Sequence, residues 1–254
     1  MHARATTAVL SASALLILTS SAFAAECPVD HDKLVNALKQ SNKAAGGPGN
    51  GGYDTHQWAA VVARDGTVCA VAYSGAKADD QWPGSRAIAM EKANTANGFS
   101  VKQMAISTAN VFAPTQPGQP LYGLIASSPP SAELANGDAN QFGTPGDHMV
   151  GKRVGGIIVF GGGLALYSDS DVVGGLGVSG DSSCADHNVA WRVRKALALD
   201  KVPAGVNPNR KDAIVHDLGA DGKSASGWGH PKCAGTEADV ANELGAGVGG
   251  ASLK

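Results

Sequence analysis

Four cysteines and seven histidines carry most of the chemistry this chain could perform, and their spacing decides its kind. Cys27, Cys69, Cys184 and Cys233 form no C-x-x-C pair, the spacing a zinc site favours. In an exported chain, an even number of cysteines points instead to disulfides. Three pairings are open. Cys27–Cys69 with Cys184–Cys233 would pin an amino-terminal segment and a long carboxy-terminal tail, each bridge stabilising by about 2–4 kcal/mol. The metal alternative gathers Cys184, Asp186, His187, His230 and Cys233. Of the histidines, His2 lies in the leader, and His31, His56, His148, His216 and His230 read as solvated or hydrogen-bonded side chains. His187 stands apart. It falls in the first turns of a helix, beside a glycine-rich strand end where a concave site can form, and is the candidate metal ligand.

Three other patterns imitate motifs. Gly175-x-Gly177-x-x-Gly180 has the dinucleotide spacing, with Asp200 twenty residues on. That chemistry needs a second parallel strand carrying the acid, and Asp200 leads into Lys201-Val202-Pro203 instead. The glycines read as points where the following helix and a neighbouring backbone approach closely. Gly222-Lys223-Ser224 lacks the first glycine of a phosphate loop. Ser179 is one residue short of a nucleophile elbow.

The elements that would hold these residues follow from patterning. The chain has 254 residues, 43% apolar and 17% charged, with a formal charge of −2, so it is a globular chain without the basic excess nucleic acid requires. Arg4, the apolar run Ala8–Leu18 and Ala22-Phe23-Ala24 read as a secretory leader cleaved after Ala24, which predicts a periplasmic or secreted protein. No later segment is long and apolar enough to span a membrane. Asp30 caps a first helix with Leu34, Ala37 and Leu38 inward. Runs 57–63 and 67–73 flank Arg64-Asp65-Gly66 as a hairpin. Pro83-Gly84-Ser85 opens an alanine-rich helix to Phe99, and 101–153 is irregular. Val154–Phe160, Gly162–Tyr167 and Val172–Ser179 read as strand-like runs, the last two joined by a turn. A helix over 184–199 follows, then a polar wrap with one strand-like piece at 213–215. Hairpins make neighbouring strands antiparallel, so the fold class is α/β in order, an α+β antiparallel sheet flanked by helices.

A family resemblance rests on four pieces in order. They are Ala60-Val61-Val62-Ala63-Arg64-Asp65-Gly66-Thr67-Val68, Ile88-Ala89-Met90-Glu91-Lys92-Ala93-Asn94-Thr95-Ala96, Gly161-Gly162-Gly163-Leu164-Ala165-Leu166, and Val173-Gly174-Gly175-Leu176-Gly177-Val178-Ser179-Gly180. Together they resemble the HbpS/GlcG haem-binding family, itself related to the carboxy-terminal domain of PduO proteins. The resemblance covers about residues 30–199 and implies a profilin-like domain over 25–199, between the leader over 1–24 and an added, partly ordered extension over 200–254 that are read from their own composition. It further implies homo-oligomers, haem or a related tetrapyrrole as cofactor, and for exported members a role in haem handling or redox sensing beside a membrane sensor protein. Thr95 occupies the position of a family threonine implicated at haem, with Lys92 a turn earlier. A haem site asks for an axial donor, cations for propionates and apolar walls. His187 or Thr95 would be the donor, Lys92 or Arg86 the cation, and Phe99, Met90 and Trp191 the walls of a groove between sheet and helix. The second reading is an enzyme acting on a small carboxylate or degrading haem, with Lys92, Asp186 and His187 as acid–base groups; the third is a sensor-accessory scaffold. The chain departs from shorter members in its long 101–153 stretch, its tail after Leu199, and Cys184-Ala185-Asp186-His187 in place of an acidic helix start.

Overall fold

The computed structural model describes residues 26–42, 49–207 and 211–249. The leader predicted over 1–24 lies outside them. Helix α1 (His31–Ser41) starts where Asp30 accepts the Lys33 N–H at 2.9 Å, as its cap position demands. Strands β1 (Trp58–Ala63) and β2 (Val68–Tyr73) form the expected hairpin. Its turn needs Gly66 at φ +85° and is held by the Thr67 N–H on Asp65 Oδ1. Helix α2 (Ser85–Phe99) is followed by β3 (Gly163–Ser168) and β4 (Asp171–Ser179), with a short helix α3 (Leu124–Ser127) inside the irregular stretch between them. The sheet runs β2-β1-β4-β3 and every pair is antiparallel.

Alternation along the strands sorts the core into two layers. Ala59, Val61, Leu164, Leu166, Leu176 and Val178 face α1 and helix α4 (Ser183–Ala196). Trp58, Ala60, Val62 and Val71 face α2 through Ala89, Met90 and Ala93. Gly175 and Gly177 are the close-approach points anticipated from the sequence. The helix that approaches, however, is the preceding α2 and not the following α4. A Cβ on Gly177 would overlap the Ala89 carbonyl oxygen and lie 2.6 Å from Ala93 N. The groove expected between helix and sheet is therefore filled by backbone.

The tail is more ordered than patterning suggested. Strand β5 (Ile214–His216) pairs in parallel with β6 (Gly247–Gly249), and α5 (Glu237–Leu244) packs against α4. Ile214, Ala241 and Ala246 bury against Cys184 on the face of α4 turned away from the sheet. The bridges are Cys27–Cys69 and Cys184–Cys233, so the tail is stapled to the first turn of α4. Helix α4 ends at Ala196, three residues before the predicted end, where Ala198 turns to φ +56°. Among the described residues no helix is long and apolar enough to cross a membrane.

Candidate functional site

Residues 154–162 are not the strand their apolar pattern predicts. They form a strap across α2, pinned by side chains in place of a ladder. Asn94 Nδ2 donates to Gly156 O at 2.8 Å, the Ile158 N–H donates to Thr95 Oγ1 at 3.0 Å, and the Gly161 N–H donates to His230 Nε2 at 3.2 Å. Gly155 and Gly156 (φ +72° and +83°) at one end and Gly162 (φ +116°) at the other take the left-handed backbone that breaks a strand. Between them Ile157, Ile158 and Phe160 stay half-buried.

Three of the predicted site residues lie against this strap. Thr95, 1% exposed, accepts from Ile158 and donates to Glu91 O at 2.7 Å. Lys92 is fully buried, with Nζ 2.7 Å from Asp186 Oδ2, 3.0 Å from Val178 O and 5.0 Å from the Phe160 ring centre. His187 is also fully buried, close under Gly161: a Cβ on that glycine would stand 3.2 Å from His187 Cβ. Neither ring nitrogen of His187 has a hydrogen-bond partner, whereas buried polar groups are ordinarily paired. Its ring centre lies 6.0 Å from that of Trp191.

The other two lie apart. Arg86 is committed elsewhere: its guanidinium grips Asp147 through Nε (2.9 Å) and Nη2 (2.5 Å), donates to Leu134 O, and sits over Phe142. Phe99, half-buried, closes the last turn of α2 one turn beyond Thr95. Met90 belongs to the core between α2 and the sheet.

Burial governs the charges here. It pushes the Asp186 carboxyl up to about 6 against the opposing pull of Lys92, and it lowers the Lys92 ammonium. Asp186 is nonetheless well satisfied, since Oδ1 accepts from Gln57 Nε2 at 3.0 Å and from the Asp181 N–H at 2.9 Å. Burial holds His187 well below the usual imidazole range, with Arg194 and His230 adding to the effect, and brings His230 down to about 3. All the imidazoles in this interior are thus neutral at pH 7. His230, read from sequence as a solvated or hydrogen-bonded side chain, is hydrogen-bonded and joins the site: Nε2 receives the strap, while Nδ1 is 2.7 Å from Pro231 O. Gln57 and Phe160 were also missed. Both reach the site from loops or strand ends, where sequence carries no periodic signal. The cysteines of the metal alternative are consumed in the Cys184–Cys233 bridge.

A family model described as "Haem degrading protein HbpS-like" matches residues 52–194, more than half of the sequence. The chain belongs to the HbpS-like family. The matched segment of this HbpS-like chain includes the strap, Lys92, Thr95 and His187, and stops at Arg194, before the tail. Similar solved structures include PduOC in complex with haem (22% identity, 67% of this chain and 94% of that one, TM-score 0.47). Protein ORFY of Klebsiella pneumoniae is similar at 22% identity over 66% of this chain and 86% of that one, TM-score 0.44. A double mutant of Streptomyces reticuli HbpS is similar at 18% identity over 76% of this chain and 99% of that one, TM-score 0.42. No curated protein matches the HbpS-like chain.

Proposed function

We propose that this protein is an exported, homo-oligomeric binder of haem or a related tetrapyrrole, working in extracytoplasmic haem handling or redox sensing. The family's description names haem degradation, so haem is the ligand it carries, and PduOC, a similar fold, was solved with haem. Two disulfides suit an oxidising compartment. The observation that carries the reading is the strap. A single glycine-hinged segment lies over an imidazole with two unpartnered nitrogens, a threonine hydroxyl and a lysine ammonium.

This donor set would fit the group chemically: a nitrogen or oxygen donor, a cation for a propionate, and apolar flanks from Ile157, Ile158 and Phe160. With the strap down, no face of a flat macrocycle can reach these buried atoms, so entry requires residues 155–162 to lift. His187 or Thr95 would then supply the donor, and Lys92, parted from Asp186, the cation. Bound haem would supply its iron's redox and ligand-binding chemistry; the chain supplies orientation, exclusion of water and a neutral donor.

Haemin titrated into the oxidised protein is expected to give a saturable Soret shift. His187→Leu, which suits the apolar surroundings, is expected to keep the fold and weaken binding roughly tenfold or more. A titration with no saturable shift would overturn the function. A shift unchanged by His187→Leu would assign the donor to Thr95.

A further inference from the structure

Outside the strap region, the side chain of Arg194 has an unused edge. Nη1 spends both hydrogens, on Asp212 Oδ2 at 2.6 Å and Ala165 O at 3.2 Å, and Nη2 spends one on Asp212 Oδ1 at 3.0 Å. A guanidinium has five N–H bonds in a rigid plane. The two left over are Nε–H, buried and without a partner, and the second hydrogen of Nη2. They lie side by side on one edge, the spacing that a carboxylate's two oxygens match. Arg194 itself is only 2% exposed, so water does not freely satisfy this edge.

The same residue lines a cavity of about 300 Å³ between the last turn of α4 and the tail, with Trp191, Lys195, Asp200, Lys211 and Asp212. The Arg194 guanidinium carbon stands 4.6 Å from the Trp191 ring centre, so an indole flanks the fork. Lys195 and Lys211 are exposed at the rim. Three cations against two carboxylates leave one net positive charge, which suits a monoanion better than a phosphate dianion. The cavity's far wall comes from residues beyond the family match, which ends at Arg194 itself.

We infer that this cavity is a binding site for a small organic monocarboxylate with a planar or apolar body, seated on the free edge of Arg194 beside Trp191. The site is separate from the strap and does not depend on the haem reading. The tail's function is then to complete it.

The test is titration of the oxidised protein with benzoate, with acetate and inorganic phosphate in parallel, read by the Arg194 Nε–H resonance and by calorimetry. Benzoate is expected to shift that resonance saturably, acetate to do so more weakly, and phosphate to have no effect at the same concentration. Because Arg194→Lys disturbs a buried ion pair, the deciding variant is Lys195→Ala with Lys211→Ala, both exposed. It should weaken benzoate about fivefold with the fold intact. Trp191→Phe should retain binding with altered enthalpy. An unmoved Nε–H resonance, binding unaffected by the double lysine variant, or phosphate binding as well as benzoate would each overturn the assignment.

Discussion

Gly177→Ala is expected to cost about 3 kcal/mol or more, and to be the most damaging single methyl in the protein. The added Cβ meets the Ala89 carbonyl oxygen and Ala93 nitrogen, both main-chain atoms of α2. Overpacking against a flexible side chain is relieved by a rotamer change; here the whole helix must rise from the sheet, taking Ala89, Met90 and Ala93 off Ala60 and Val62. Gly98→Ala provides the contrast. That glycine is also in α2, but a Cβ there meets nothing within 4 Å. Alanine should stabilise the helix by about 0.5–1 kcal/mol. Urea denaturation of the two variants measures both signs. Equal effects would mean that α2 does not rest on the β4 glycines.

Acid is expected to destabilise the protein steadily between pH 6 and pH 4. The cause is the neutral histidine interior. His187 and His230 have folded values far below the roughly 6.5 of an unfolded histidine, and His216 is lowered too. Between those values the unfolded chain binds protons that the folded chain cannot, so stability falls as the pH drops from 6.5 toward about 3 for His230. Asp186 works the other way. Its folded value is raised from 3.8 to about 6, so the folded state gains a proton first and offsets about one histidine. Denaturant midpoints across this range are the measurement. His187→Leu should flatten the slope by about one proton, and a stability that stays level from pH 6 to pH 4 would contradict neutral burial of these rings.

Much of the fold was written in local pattern. The Asp65-Gly66 turn and the Asp30 cap each act within a few residues, and each formed where the sequence placed it. Where partners are distant, the pattern failed. The strap reads as a strand because Val154, Ile157, Ile158 and Val159 are apolar, yet its backbone is held by Asn94, Thr95 and His230. Paired glycines at both ends were the available warning. Helix α5 and strand β6 are too short and glycine-rich for propensity to specify, and depend on Ala241 and Ala246 packing near Cys184. For the site, His187, Lys92 and Thr95 were each named from sequence, and the structure brings them under one segment. Their coupling was not legible. Asp186 finds Lys92 across 94 residues, and Arg194 finds Asp212 only because the tail folds back over α4.

Amide exchange across residues 155–162, with and without saturating haemin, tests the account most directly. If haem enters beneath the strap, the Ile158 and Gly161 amides lose their acceptors on Thr95 and His230 and exchange faster in the complex, while amides of the central strand β1 stay protected. Haemin bound at full occupancy, with those two amides as protected as before, would contradict it.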